Sequence, residues 1–204
     1  MAQVGWFGGS FDPVHRAHVA LACAALDQLA LDEVRWVVAG QPWQKSGRRM
    51  ASAEDRVAMV RLAIEDEGGR APGSARFVLD DREIRRAGPS FTLDSVREYQ
   101  QERPGDTLWL ILGQDQLAGF TSWHGWEELV ERVGLAVAAR ARDEVRAPAA
   151  LLERPHRLIR LAMPALTWSS TEARQRAAEG ADVGPVVGDK VAGYIARHRL
   201  YSES

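Results

Sequence analysis

A six-residue run from Thr107 to Leu112 is almost continuously apolar and ends at Gly113. A run of this kind is typical of a strand buried on both faces, as strands are at the centre of a parallel sheet. Further apolar segments with strand character lie at residues 4–7, 34–39, 75–79, 135–139 and 157–163. Because segments with helical spacing separate them, the sequence predicts strands that alternate with helices.

This alternation indicates the fold class, since parallel strands need right-handed crossover connections. Helices are expected near residues 13–30, 53–65, 92–101, 126–132, 170–179 and 189–197. The length of 204 residues suits one domain, 1–204, with 141–155 as a surface excursion. The prediction is a single α/β domain with a doubly wound, mainly parallel Rossmann-like sheet and helices on both faces.

The composition is ordinary for a globular protein, with 46% hydrophobic and 26% charged residues. A formal charge of −2 gives no basic footprint, so nucleic acid is not an expected partner. The sequence shows no signal-peptide pattern and no bilayer-length apolar run, which predicts a cytoplasmic protein without a membrane partner. The single cysteine, Cys23, lies in an apolar helical run and is predicted to be a small core residue.

The segment from Val4 to His18 predicts a strand, a glycine turn and a helix start. Gly8-Gly9 would let the backbone approach a ligand closely. Asp12-Pro13 suits a helix cap and first helical position, where unpaired N–H groups attract phosphate. His15 and His18 would then share one face and could contact the same anion. The alternative is a capped helix with one histidine in the core.

Two further segments could contact phosphate. Ser169 and Glu172 fit a capping box, but Arg174 in the same first turns opposes the helix dipole unless an anion binds there. The C-terminal helices over 165–204 would then complete a phosphate site. Lys45 lies in a basic loop, Gln41 to Ala51, which is either a solvated surface or a clamp on a triphosphate.

The sheet topology predicts where these segments meet. In a doubly wound sheet, ligands bind at the carboxyl ends of strands where the winding reverses. Gly8-Gly9 and Gly113–Asp115 both follow such strand ends, so they are predicted to face each other across one crevice. Trp123 lies in a polar loop, where its indole either packs into the core or stacks on a heteroaromatic ring such as a pyridinium.

Several familiar kinds of site are missing from the sequence. It has no Walker A motif and no G-x-G-x-x-G fingerprint. It also has no metal-ligand spacing of the CxxC or HExxH kind and no G-x-S-x-G elbow. What remains is phosphate-centred chemistry that depends on positioning and on charge stabilisation rather than on a covalent nucleophile.

The segment from Gly8 to His18 resembles the GG-(S/T)-FDPxHxGH signature of the nucleotidyltransferases related to class I aminoacyl-tRNA synthetases. Ser169 to Arg174 is similar to the second signature of that superfamily, SSTxIR. More narrowly, the chain resembles the bacterial nicotinate-mononucleotide adenylyltransferase family. That resemblance rests on the segments 40–45, 89–92, 112–115, 123–126 and 191–201.

The resemblance implies transfer of the AMP moiety of ATP to nicotinate mononucleotide, giving deamido-NAD and pyrophosphate. It implies Mg²⁺ held mainly by the ATP phosphates, and His15 and His18 as the groups that stabilise charge at the α-phosphorus. It assigns Thr92 to the nicotinate carboxylate and Trp123 to the pyridine ring. The implied nucleotide and phosphate contacts are Gly8, Gly9, Ser10, Phe11, Lys45, Asp115, Ser170, Thr171 and Arg174.

The chain departs from the family pattern at several positions. Ala17 replaces a glycine, Gln44 lies in a Trp-Gln pair that replaces Pro-His, Phe91 replaces tyrosine and Ala173 replaces isoleucine. None of these changes removes an expected phosphate contact. Two alternatives stay open: an adenylyltransferase for nicotinamide mononucleotide or phosphopantetheine, and a nucleotide-binding regulator without turnover. The sequence indicates no oligomeric state.

Overall fold

The apolar run from Thr107 to Leu112 forms a central strand of a six-stranded sheet in the computed structural model of the chain. The structure describes residues 1–41, 50–67, 77–140, 144–164 and 166–202. The strands are β1 Gln3–Gly9, β2 Glu33–Val38, β3 Phe77–Asp80, β4 Thr107–Gly113, β5 Gly134–Arg140 and β6 Leu158–Met163. Every neighbouring pair is parallel, and the order is β3-β2-β1-β4-β5-β6.

Helices cover both faces of this sheet. Those in the described residues are α1 Arg16–Gln28, α2 Ala53–Glu67, α3 Arg82–Arg85, α4 Thr92–Glu102, α5 Gln114–Ala118, α6 Trp126–Arg132, α7 Ala149–Leu152, α8 Ser170–Ala178, α9 Gly184–Val187 and α10 Asp189–Arg197. Helices α1, α2, α8, α9 and α10 contribute to one hydrophobic cluster, and α4 to α7 contribute to the other. The predicted doubly wound α/β fold is confirmed. In the described residues, no helix is long and apolar enough to cross a membrane.

The winding of the sheet reverses between β1 and β4. From β1 the chain builds outward through β2 to β3, then returns to the other side of β1 and continues through β4 and β5 to β6. The carboxyl ends of β1 and β4, at Gly9 and Gly113, therefore lie side by side where a doubly wound sheet leaves its crevice open.

The predicted start of the first helix is wrong. Helix α1 begins at Arg16, and the residue that precedes it, His15, is in an extended conformation. Asp12 cannot act as the cap, because its carboxylate accepts hydrogen bonds from Ala51 N–H and from the Tyr201 hydroxyl. These long-range contacts turn the Asp12 side chain away from the α1 amides.

Other local predictions also need correction. Cys23 is only partly buried, because it lies beside rather than on the α1 stripe that carries Ala22, Ala25 and Leu26 into the core. The segment Gly113–Asp115 follows a strand end as predicted, but helix α5, which the sequence did not predict, begins there at Gln114. The region expected as a surface excursion, 141–155, is mostly exposed where it is described, but its short helix α7 buries Leu151 completely; residues 141–143 lie outside the described residues.

Candidate active site

A cavity of about 590 Å³ opens at the carboxyl ends of β1 and β4. One wall comes from the end of β1 and the first turn of α1, and the other comes from Gly113 and the start of α5, including Asp115. This arrangement confirms that the two strand ends face one crevice. The predicted site residues that line it are Gly8, Gly9, Ser10, Phe11, His15, His18, Asp115 and Ser170.

The two glycines at the end of β1 serve different purposes. A Cβ atom on Gly9 would lie 2.9 Å from the Phe11 ring, so Gly9 makes room for an aromatic side chain of the protein itself. A Cβ atom on Gly8 would meet no atom within 4 Å, since this residue faces the open cavity. Gly8 is therefore the position where a ligand can reach the backbone closely. The methyl group of Ala17 also lines the cavity.

His15 and His18 lie against each other at the start of α1. Their ring centroids are 3.6 Å apart, and the stacked rings are inclined by 27° to each other. The His15 N–H donates to Nδ1 of His18 at 3.2 Å. Because Nδ1 accepts this bond it carries no proton, so a neutral His18 has its proton on Nε2. The edges of Phe7 and Phe11 pack against His18 and fix the ring plane.

Burial keeps His15 neutral. The residue is 8% exposed, and desolvation lowers the pKa of its imidazole from 6.5 to about 4. Its buried Nδ1 has no hydrogen-bond partner among the described residues. At neutral pH, His15 is therefore a neutral ring beside the cavity. The negative charge of a bound polyphosphate would favour its protonation.

This burial makes a testable contribution to stability. Unfolded His15 binds a proton near pH 6.5, whereas the folded residue stays neutral down to about pH 4. Its contribution is therefore present above pH 6.5 and is lost as the pH falls. Between pH 7 and pH 5, we expect the unfolding free energy to fall by about 2 kcal/mol more in the wild type than in His15→Asn. Parallel pH profiles in chemical denaturation would contradict this assignment, because groups common to both proteins cancel.

The start of α8 is tied to the turn after β1. The Ser169 side chain accepts from Glu172 N–H, which confirms the predicted cap. The Ser170 hydroxyl donates to Pro13 O at 2.9 Å, and Nη1 of Arg174 donates to Asp12 O at 2.6 Å. The Asp12 carbonyl therefore already stabilises the Arg174 guanidinium, whose charge opposes the α8 dipole. Nη1 of Arg174 is also 3.9 Å from Oδ2 of the Asp12 carboxylate.

The predicted phosphate contacts divide between two cavities. Ser170 lines the crevice, whereas Thr171 and Arg174 line a neighbouring cavity of about 940 Å³. Nη2 of Arg174 donates to Thr171 Oγ1 at 3.1 Å. The opposite wall of this second cavity is formed by residues 50–52, Asp55 and the C-terminal residues 198–202. Lys45 lies outside the described residues.

The predicted acceptor residues, Thr92 and Trp123, lie away from the crevice lining. Thr92 is the first residue of α4, and Trp123 follows a 3-10 turn, half-buried against Phe120. Their two segments are adjacent, since the ring of Phe91 stacks on His124 with centroids 4.3 Å apart. The structure therefore brings the two segments that were predicted to bind the acceptor together at one place, outside the lining of the crevice that holds His15 and His18.

Sequence reasoning did not identify the buried cation Arg56. Arg56 is 2% exposed, and its guanidinium donates to the carbonyls of Ser10, Ala39, Gly40 and Ala51 at 2.6 to 3.2 Å. Burial lowers its pKa, and the charge of a nearby carboxylate partly opposes this shift. It thus joins the chain after β1 to the chain after β2.

The helical spacing did contain a signal for Arg56. Residues 56, 59, 60 and 63 form one stripe of α2, and the other three, Met59, Val60 and Ala63, are all buried. An arginine on a buried stripe must find several acceptors, because an unpaired buried charge is costly. A search of that stripe for charged residues would have found it.

Comparison with known proteins agrees with the fold and the motifs. Residues 6–176 match the profile of the family described as cytidylyltransferase-like. The probable nicotinate-nucleotide adenylyltransferase of Methylibium petroleiphilum is 44% identical over 98% of this chain and 92% of its own length. Its counterpart in Mycolicibacterium vanbaalenii is 35% identical, with the same two coverages.

Solved structures show the same fold at lower identity. Nicotinic acid mononucleotide adenylyltransferase from Plasmodium falciparum, complexed with NaAD, has a TM-score of 0.81 at 20% identity, with 98% of each chain covered. The same protein complexed with APC has a TM-score of 0.78. Sequence and fold thus lead to one assignment: the chain belongs to the cytidylyltransferase-like family and, within it, to the nicotinate-nucleotide adenylyltransferases.

Proposed function

We propose that this protein transfers the AMP moiety of ATP to nicotinate mononucleotide, releasing pyrophosphate and forming deamido-NAD for NAD biosynthesis. The observation that carries the proposal is the crevice itself, where Gly8, the paired rings of His15 and His18, Asp115 and Ser170 converge. The names of the bacterial relatives and the NaAD complex of the Plasmodium protein support the same substrate pair.

In this reaction a phosphate oxygen of nicotinate mononucleotide attacks the α-phosphorus of ATP. The new P–O bond forms as the bond to the β-phosphate bridging oxygen breaks, and pyrophosphate leaves. No general base is needed, because a phosphate monoester is already anionic at neutral pH. Nε2–H of His18 donates to an α-phosphate oxygen as negative charge develops, and His15 assists once the polyphosphate favours its protonation.

The remaining nucleotide contacts surround this centre. Gly9, Ser10 and Phe11 form the turn after Gly8, the residue at which the nucleotide comes close to the backbone. Asp115, on the opposite wall, contacts the ribose or adjacent backbone. Ser170, Thr171 and Arg174 hold the distal phosphates, and Lys45 supplies a further positive charge for them. Mg²⁺ would accompany the triphosphate as its counterion and would be held mainly by phosphate oxygens and water rather than by side chains of this protein.

The acceptor is selected at the segments around Thr92 and Trp123. The amino-terminal end of α4 carries partial positive charge, which favours the carboxylate of nicotinate over the neutral carboxamide of nicotinamide. The indole of Trp123 offers a face for the cationic pyridinium. The single cysteine of the sequence precludes an internal disulfide and suits a cytoplasmic setting for this reaction.

The test is pyrophosphate release with ATP, Mg²⁺ and one acceptor at a time. We expect turnover with nicotinate mononucleotide to exceed that with nicotinamide mononucleotide by at least about tenfold, since one charge-assisted contact distinguishes the two acceptors. Phosphopantetheine should give none. Release only with one of the other acceptors would replace the assignment, and ATP binding without release from any acceptor would indicate a regulator.

A further inference from the structure

Asp12 is a buried carboxylate that joins four distant segments. It is 1% exposed, and its Oδ1 accepts from the Tyr201 hydroxyl at 2.8 Å and from Ala51 N–H at 3.1 Å. Its main-chain carbonyl accepts from Arg174 at 2.6 Å. The turn after β1, the chain before α2, the first turns of α8 and the C-terminal tail thus meet at one residue.

The position of Arg174 depends on this junction. Nη1 is 2.6 Å from the Asp12 carbonyl oxygen but 3.9 Å from the carboxylate oxygen Oδ2, so the carboxylate does not engage the guanidinium closely. Nη2 contacts Thr171, and both residues line the second cavity. This geometry leaves donors of Arg174 available to an anion in that cavity.

We propose that Tyr201 is a positioning residue for ATP. Its hydroxyl donates a hydrogen bond to the Asp12 carboxylate, so that Arg174 stays directed at the distal phosphates. The inference rests on the proposed function, because it assumes that Arg174 binds the triphosphate. It assigns a role to the C-terminal tail, since Tyr201 acts through Asp12 and contacts no reacting atom.

A buried carboxylate must find its hydrogen-bond donors in the fold around it. Without the phenol, Oδ1 keeps only the Ala51 amide, and a buried carboxylate short of donors is costly. Arg56 cannot turn to it, because its guanidinium is held by four carbonyls. Arg174 can close the 3.9 Å gap, and doing so withdraws its charge from the cavity. Burial beside Asp12 raises the pKa of Tyr201 far above 10, so the hydroxyl keeps its proton at neutral pH.

The test is Tyr201→Phe, which keeps the ring and removes only the donor. We expect the KM for ATP and the Kd for ATP alone to rise about tenfold, with the KM for nicotinate mononucleotide unchanged. The matched control is Tyr99→Phe, which removes a similar hydroxyl that donates to the Asp106 carboxylate at 3.0 Å, outside the lining of both cavities. The control should leave all three constants within about twofold.

A double-mutant cycle separates positioning from a general structural role. If Tyr201 acts through Arg174, the Tyr201→Phe effect on ATP affinity should disappear in an Arg174→Ala background. Equal effects in both backgrounds would overturn the proposal, as would equal changes in both KM values for Tyr201→Phe. Because ATP affinity is measured by calorimetry without an acceptor, a wrong acceptor assignment would leave this test intact.

Discussion

Replacing His18 with alanine should lower kcat for pyrophosphate release by about 10²- to 10³-fold, the usual effect of losing one donor to a developing charge. ATP affinity should fall by less than about tenfold, because the Nε2–H bond strengthens mainly in the transition state. The reason is structural: the His15 amide holds Nδ1 of His18, which leaves the proton on Nε2. Steady-state kinetics and calorimetry measure the two quantities separately.

Two further variants distinguish the loss of a catalytic group from the loss of the folded state. His18→Gln places a side-chain carbonyl at the third residue of α1, where it can still accept from the His15 amide and preserve the helix start. It should remain folded and, because its amide NH2 can still donate a hydrogen bond, should keep more turnover than His18→Ala. His156→Ala, at a partly exposed residue outside the crevice lining whose Nδ1 hydrogen-bonds to the Arg154 carbonyl, should leave kcat unchanged. Turnover retained in both His18 variants would refute the assigned role.

Replacing Arg56 with methionine should reduce the free energy of unfolding by about 3–5 kcal/mol. Methionine fills much of the space but donates nothing, so four carbonyls lose their donor and the charge near Asp12 disappears. Urea denaturation measures the loss. Because Ser10 and Gly40 are among the carbonyls released, ATP affinity should also fall.

The matched control lies on the same helix. Arg61 is exposed on α2, so Arg61→Met changes the same chemical groups where water already surrounds the guanidinium. It should shift the unfolding free energy by no more than about 0.5 kcal/mol. Similar losses in the two variants would mean that the Arg56 network does not stabilise the fold as its geometry indicates.

Much of the fold could be predicted because its signals are local. The run from Thr107 to Leu112 has the composition of a central parallel strand, and it is one. Helix α6 has the predicted bounds, Trp126–Arg132, and α4 begins at the predicted Thr92. Given parallel strands with crossover helices, the shared edge of Gly9 and Gly113 follows from the winding alone.

The site was less predictable where partners are distant in the chain. The pair His15 and His18 could be recognised, because side chains three positions apart at the start of a helix lie close together. The division of Ser170 from Arg174 could not, because it depends on which atoms of the β1 turn each side chain meets. The short helices α3 and α7 were missed because four residues carry too little periodicity.

The sequence by itself determined the α/β class, the edge of the sheet that holds the crevice, and the phosphate-centred chemistry of its motifs. Tertiary structure decided where α1 begins, what Asp12 binds and why Arg56 is buried. The physical reason is that a buried polar group takes whatever donors the fold brings to it. For Asp12 one of them, Tyr201, lies 189 residues away, beyond the reach of any local pattern.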